Sequence, residues 1–274
     1  MSDYETLLFD VRDRVATITL HRPDVRNAFG GSMRAELADA YTRCDTDDDI
    51  RVVVLTGTPP AFCAGADLSG GDQTFGTPDR STFSASPIDP PAWDIRKPVI
   101  AAVNGHAIGL GLTIALQCDV RFMAADAKYG VVQVRRGVMG DAAVHWSLPR
   151  IAGMANAAEI LLSGRTFDGH EAKDLGIASR CLPNDEVLPA ALDFARDIAV
   201  NTAPLSVAFS KRLLWQSFEL DRDEIARLET ELHHHLMGSD DAREGVMAFL
   251  ERREPQWSRR VATDWPEWPE KDGS

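Results

Sequence analysis

The chain has 274 residues, 44% of them apolar, which is enough for one sizeable core and short for two large domains. Its formal charge of −13 argues against nucleic acid or an anionic membrane as partner, although a few local Arg and Lys residues can still bind a phosphorylated small molecule. Four cysteines, at 44, 63, 118 and 181, form no CxxC pair and read as reduced thiols of a cytoplasmic protein rather than a disulfide frame.

The N-terminal MSDYETLLFD is acidic and has no long apolar run, so no signal peptide is expected, and no segment is long and apolar enough for a membrane span. Residues 6–20 alternate as two strands around a polar turn at Arg12 to Arg14. Ser32 is placed to cap an amphipathic helix, MRAELADAYTRCD. The apolar runs 51–57, 99–105 and 119–126 read as buried strands, and HAIGLGLTIALQCD as a buried helix after Gly109. Strands alternating with helices point to an α/β arrangement.

Residues 70–92 are rich in Gly, Ser, Pro and Asp, without apolar period, and read as a long, mobile surface loop. From about residue 184 the pattern turns helical, an appendage to the core. The expected organisation is a core over 1–197, a helical oligomerisation region over 198–262 and a flexible, proline-broken tail over 263–274.

Three segments carry a resemblance: PPAFCAGADL (59–68), KPVIAAVNGHAIGLGLTIALQCDVRF (97–122) and GVMGDAAVHWSLPRIAG (137–153). In this order and spacing the chain resembles the crotonase superfamily, the enoyl-CoA hydratase and isomerase group, over roughly residues 6 to 255. The resemblance implies a spiral of ββα repeats with a C-terminal helical region, homotrimers that pair into hexamers, and an acyl-CoA substrate with no cofactor beyond its coenzyme A. It places two backbone N–H donors for a thioester enolate at Ala66 and Leu110, with Gly65, Gly109 and Gly111 allowing close approach. Ala64, Ala66, Asp67 and Leu68 resemble the wall of the family's adenine pocket. Arg26 and Arg252 fall where members carry basic residues near the coenzyme A, and Phe249 where a neighbouring subunit contacts it.

Two departures redirect the chemistry. Family hydratases use two glutamates, and the aligned positions here hold Thr113 and Gln133. Neither a hydroxyl nor a carboxamide moves protons usefully near neutral pH. Shifting a double bond needs only one acid that reaches both the α- and γ-carbons. Several family isomerases carry an acid at the position of Asp141, in a segment where Gly140 replaces the usual proline and Trp146, Leu148, Pro149 and Arg150 match.

Asp141 is therefore the candidate base, with helix N-capping as its alternative role. Family dehalogenases use the same position as a nucleophile. His145, four residues on, would share a helix face with Asp141. His106 reads as structural, and the run His233, His234, His235 lacks a metal-ligand spacing, so no metal is expected. A catalytically silent acyl-CoA binder and a hydratase with relocated acids remain as alternatives.

Overall fold

The structure, a computed structural model, describes residues 4–269 except Pro78, Arg80 and Thr82. Strands β1 (Leu7–Arg12) and β2 (Val15–Leu20) form a hairpin. Arg12 pairs with Val15 and both intervening residues are left-handed, Asp13 at φ 51° and Arg14 at φ 64°. Such a two-residue turn matches the natural twist of paired strands.

Helix α1 (Met33–Thr46) buries Met33, Leu37, Ala40, Tyr41 and Cys44, one stripe at helical spacing. Ser32 does not cap it. Its backbone is already helical at φ −75° and ψ −11°, and its hydroxyl faces Glu5 at 3.4 Å. Glu36, in the first turn, instead accepts from the Thr6 N–H at 2.8 Å and the Thr6 hydroxyl at 2.7 Å, binding the helix to the start of β1.

The chain then makes the same move three times. β3 (Val52–Gly57) leads into β4 (Ala61–Cys63), β5 (Val99–Val103) into β6 (His106–Ile108), and β7 (Val120–Ala124) into β8 (Tyr129–Gly130). The first of each pair joins a six-stranded sheet, closed by β9 (Arg180–Leu182) in the order β1-β2-β3-β5-β7-β9, and the second joins a three-stranded sheet β4-β6-β8. Apart from the hairpin all pairings are parallel. This is the expected spiral of ββα repeats. β3 and β5 are buried along their whole length, as parallel strands covered on both faces must be.

Helix α2 (Leu110–Leu116) follows β6 and is buried at every position. Helices α3 (Val144–Ala152), α4 (Met154–Ser163) and α5 (Gly169–Asp174) lie between β8 and β9. Helix α6 (Val187–Asn201) turns Val187, Ala191, Ala195 and Ala199 onto the large sheet. It belongs to the core, and the expected boundary after residue 197 falls inside it.

Helices α7 (Pro204–Gln216), α8 (Arg222–Leu236) and α9 (Asp240–Glu251) complete the chain. They are tied to the core by a buried ion pair, Lys211 Nζ to Asp119 at 2.9 Å. Lys211 also donates to the carbonyls of Ala92 and Lys97, and Asp119 accepts from the Val99 N–H and the Trp215 indole. Every polar group of the pair is satisfied, which is the condition for tolerating buried charge.

The expected tail is anchored further than composition suggests. Trp265 and Trp268 stack on each other at 5.6 Å and both pack against Phe209, while Arg212 covers Trp268 at 4.1 Å. Residues 270–274 lie outside the described residues. The 70–92 loop, expected to be mobile, likewise has fixed points: Ile88 and Ala92 are core residues, whereas positions 78, 80 and 82 lie outside the described residues.

The double variant Trp265→Ala, Trp268→Ala is expected to lose about 2 to 4 kcal/mol of unfolding free energy. Urea denaturation followed by circular dichroism measures it, and an unchanged midpoint would show the tail to be passive.

Candidate active site

The strands of the small sheet end side by side, with Cys63 of β4 and Ala107 of β6 in register, and Ile108 of β6 opposite Gly130 of β8. The residues singled out in the sequence lie just beyond these ends: Ala66, then Leu110, then Gln133 and Asp141. Carboxyl ends of parallel strands are where open α/β sheets place their ligands.

Ala66 faces Phe29 across an isolated parallel bridge. The two bonds of that bridge use the Gly65 carbonyl and the Asp67 N–H, at 2.7 and 3.1 Å, and leave the Ala66 N–H pointing the other way. Leu110 is the first residue of α2, where an N–H has no intrahelical partner. Among the described residues neither N–H has an acceptor.

Glycines allow the two loops to meet. Gly65 has φ 96°, and a methyl there would sit 2.6 Å from the Ile108 carbonyl oxygen. Gly109, at φ 56° and ψ −122°, adopts a backbone that side chains forbid. A methyl on Gly111 would overlap the Cys63 carbonyl. The result is two free N–H groups on facing segments, one of them at a helix N-terminus, both suited to an oxyanion.

Thr113 lies one turn into α2, fully buried. Its hydroxyl donates to Asp141 Oδ1 at 2.7 Å and lies 3.1 Å from the Leu110 carbonyl. One proton serves both contacts in turn. With Asp141 ionised it goes to the carboxylate; with Asp141 protonated the carboxyl can donate to Thr113 and the hydroxyl can turn to the carbonyl. Neither protonation state strands a polar atom.

Asp141 is partly buried, and burial pushes its pKa up; the Thr113 hydroxyl and the nearby Gln133 amide pull the other way, with a smaller contribution from His145. The Gln133 amide faces the Asp141 carboxyl in a contact too long for a full hydrogen bond, and still favours its ionised form. An acid raised by desolvation beside an oxyanion cradle is suited to ferrying a proton.

The mounting of Asp141 differs from both expectations drawn from the sequence. Asp141 does not cap α3, because the N-cap position is Ala143 and no side chain caps it. Ala142 and Ala143 are both left-handed, at φ 49° and 55°, so Asp141 and His145 do not share one helix face. Two successive left-handed alanines are strained, by roughly 1 to 2 kcal/mol each.

The surroundings hold that strain. The Ala142 N–H donates to the Ala85 carbonyl of the long loop at 2.7 Å, and the Gln117 amide reaches the Ala142 carbonyl at 3.5 Å. Gly140 is required beside them, since a methyl there would meet Val144 Cγ1 at 2.6 Å. Trp146 then anchors α3 among Trp93, Trp215 and Phe218, at ring distances of 5.5, 5.9 and 5.4 Å, under the Arg150 guanidinium. His145 is exposed near Gly140 and makes no direct bond to Asp141.

The other candidates are spread more widely. Asp67 is occupied: it pairs with Arg22 at 2.9 Å and accepts from the Ser69 N–H at 3.0 Å, and these bonds, Ser69 first, hold its pKa down to about 2. Ala64 donates to the Arg26 carbonyl, and Leu68 is exposed. Arg26 is exposed, and its side chain has no partner among the described residues. Phe249 and Arg252 lie on α9 and at its end, and among the described residues no bond ties either to Ala66, Leu110 or Asp141.

Sequence reasoning missed Asn27, fully buried at φ 55°, whose amide donates to the carbonyls of Thr58 and Ala61 and accepts from the Arg22 N–H. The HRPDVRN segment thereby braces β4. His106 accepts from the Lys128 N–H at 2.9 Å, a structural role. Among the described residues no group of His, Cys, Asp and Glu is arranged to hold a metal, and no helix is long and apolar enough to cross a membrane.

The sequence profile of the enoyl-CoA hydratase/isomerase family matches residues 10–260. The chain belongs to this family. A probable enoyl-CoA hydratase of Mycobacterium bovis is 36% identical over 262 residues, spanning 94% of this chain and 99% of the relative. A solved probable enoyl-CoA hydratase/isomerase from Mycobacterium abscessus is 50% identical and superposes with a TM-score of 0.90 over 92% of this chain and 98% of its own. A putative enoyl-CoA hydratase from Streptomyces coelicolor superposes with a TM-score of 0.87 at 28% identity, over 94% and 96% of the two chains. Fold and family are thus the ones the three motif segments pointed to.

Because folding raises the pKa of Asp141 above its ordinary value of 3.8, protonated Asp141 favours the folded state. That contribution is complete below the unfolded pKa and is lost as pH rises through the folded one. Asp141→Asn is expected to melt above wild type at pH 8 and to converge toward it near pH 4. Thermal scans across that range test the sign, and a variant that melts lower at pH 8 would reverse it.

Proposed function

We propose that this chain moves the double bond of an enoyl-CoA between the Δ3 and Δ2 positions, with Asp141 as the single acid and base. The observation that carries it is the Asp141 carboxyl held by Thr113, a residue one helical turn from the Leu110 N–H. The thioester oxygen would sit between the Ala66 and Leu110 amides, which strengthen their hold as negative charge develops on it. Asp141 would remove a proton from the α-carbon of the Δ3 ester and return it to the γ-carbon as the double bond moves into conjugation, or the reverse. Atoms and charge balance without water, metal or redox partner.

Thr113 and Gln133, standing where hydratases carry glutamates, favour this single-acid reaction over water addition. The probable hydratase of Mycobacterium bovis and the putative hydratase of Streptomyces coelicolor favour a hydratase with relocated acids as the second reading. Coenzyme A, as part of the substrate, would lie along Ala64, Asp67 and Leu68, with Arg26 and a neighbouring subunit's Arg252 and Phe249 against its phosphates and adenine. We place the protein in the cytoplasm as a homotrimer or homohexamer. Val246, Phe249 and Leu250, at 59, 82 and 66% exposure on one helix, supply an apolar face for self-assembly.

With 3-enoyl-CoA, formation of the conjugated thioester is read by ultraviolet absorbance. Asp141→Asn is expected to lower kcat by about 10² to 10⁴. Full activity in that variant would remove Asp141 from the reaction, and water addition to crotonyl-CoA that survives the change would support the second reading. Thr113→Val removes a hydrogen bond that lowers the Asp141 pKa, so the acid limb of kcat/KM should move to higher pH. A limb that stays in place would separate the hydroxyl from the titrating group.

Phe249→Glu is expected to shift the protein to smaller species in analytical ultracentrifugation. An unchanged assembly would place the interface elsewhere.

A further inference from the structure

Helix α2 carries two parts of the site along one face. Its first residue supplies the Leu110 N–H, and Thr113, one turn on, bonds the Asp141 carboxyl at 2.7 Å. A third polar residue continues that face. Gln117 ends the helix two turns after Leu110, completing the i, i+3, i+7 spacing that stacks side chains along a helix. It is 1% exposed, and its Nε2 donates to the carbonyl of Ala142, the residue after Asp141, at 3.5 Å.

Among the described residues this contact is the single polar bond of either group. Ala142 is fully buried, and the start of α3 bypasses its carbonyl: the Val144 N–H bonds the Asp141 carbonyl, and those of Trp146 and Ser147 the Ala143 carbonyl. No other donor reaches it. The second half of the Gln117 amide, Oε1, is enclosed without a partner. An apolar side chain of the same length would avoid that unmet acceptor, so stability alone does not account for a glutamine here. What its N–H holds does. Ala142 is left-handed at φ 49°, a backbone that alanine keeps only under constraint.

We propose that Gln117 is a positioning residue for the reaction: by holding the Ala142 carbonyl it fixes the turn that carries Asp141 relative to the Leu110 N–H. One buried helix then keeps the oxyanion donor and the acid in register. Thr113 binds the side chain of the acid, and Gln117 binds the main chain beside it. Two points of attachment matter because an acid that serves two carbons tolerates little error in its position. The consequence for the reaction rests on the Asp141 assignment above; the consequence for the turn does not.

Gln117→Met keeps the length of the side chain and removes both polar atoms. In hydrogen–deuterium exchange of the intact protein, read by mass spectrometry, the peptide spanning residues 140–146 is expected to exchange about tenfold faster in the variant, with β5 unchanged. With 3-enoyl-CoA the variant should lose about tenfold in kcat at a KM near wild type. Adding Ala142→Gly should restore part of that loss, because glycine adopts the left-handed backbone freely. Unchanged exchange across the turn would overturn the proposal. So would exchange raised equally in β5, the mark of a general loss of stability. A raised KM at wild-type kcat, or a loss of kcat that the glycine leaves untouched, would overturn it as well. Gln117→Leu repeats the measurements should the methionine variant fail to fold, and failure of both would show a purely structural role. If Asp141→Asn proves as active as wild type, the base assignment falls, while the exchange result still decides whether Gln117 holds the turn.

Discussion

The site depends on one close approach of main chain to main chain. β4 and the β6–α2 junction are pressed together until carbonyls and Cα atoms occupy the space that side chains would need at Gly65 and Gly111. Only because they meet this closely do the Ala66 and Leu110 amides, each left over by its own local hydrogen-bonding pattern, come from facing segments. An unpaired N–H is ordinarily a liability in a folded protein. Here two such groups are held by rigid strands whose remaining bonds are complete, so they can meet developing charge without reorganising.

The acid is positioned by a different kind of constraint. Asp141 sits on a short, strained turn whose left-handed alanines are held in place by the Ala85 carbonyl, Gln117 and the tight fit at Gly140. Beyond it, Trp146 locks α3 into an aromatic cluster that reaches Trp215 on α7. Trp215 in turn donates to Asp119, the partner of Lys211. The helical C-terminal region thus braces the acid as well as carrying the exposed apolar face of α9. Strain at a functional residue persists only where the surroundings over-determine it, and here loop, core and C-terminal helices all do.

Burial sets the character of each polar group at the site. Asp67, tied by Ser69 and Arg22, is held firmly ionised, whereas Asp141, tied mainly by one hydroxyl and otherwise desolvated, is pushed toward its neutral form. Two aspartates are thereby driven in opposite directions, one toward a carboxylate fixed in an ion pair and the other toward a protonated acid.

Much of this was legible in the residues. The hairpin, the buried strands and the helical character of the C-terminal region followed from apolar period and turn chemistry, which are local properties. The cradle was expected from the family resemblance of two motif segments, and their glycines are there because only glycine tolerates the backbone those junctions need. The three-stranded sheet was not, since strands of two or three residues carry no period of their own and exist through their pairing. Nor was the mounting of Asp141: a run of small residues before a helix looks like a cap, and its two left-handed alanines are imposed by contacts with residues 85 and 117, far away in the chain. The tail misled for the same reason, since proline and charge suggest looseness while two indoles find Phe209 only in the folded molecule. Apolar period and turn chemistry determined most of the elements, and the resemblance of three motif segments pointed to the family and the candidate groups; which of those groups face one another, and which is left unpaired, was decided by long-range packing that no local pattern encodes.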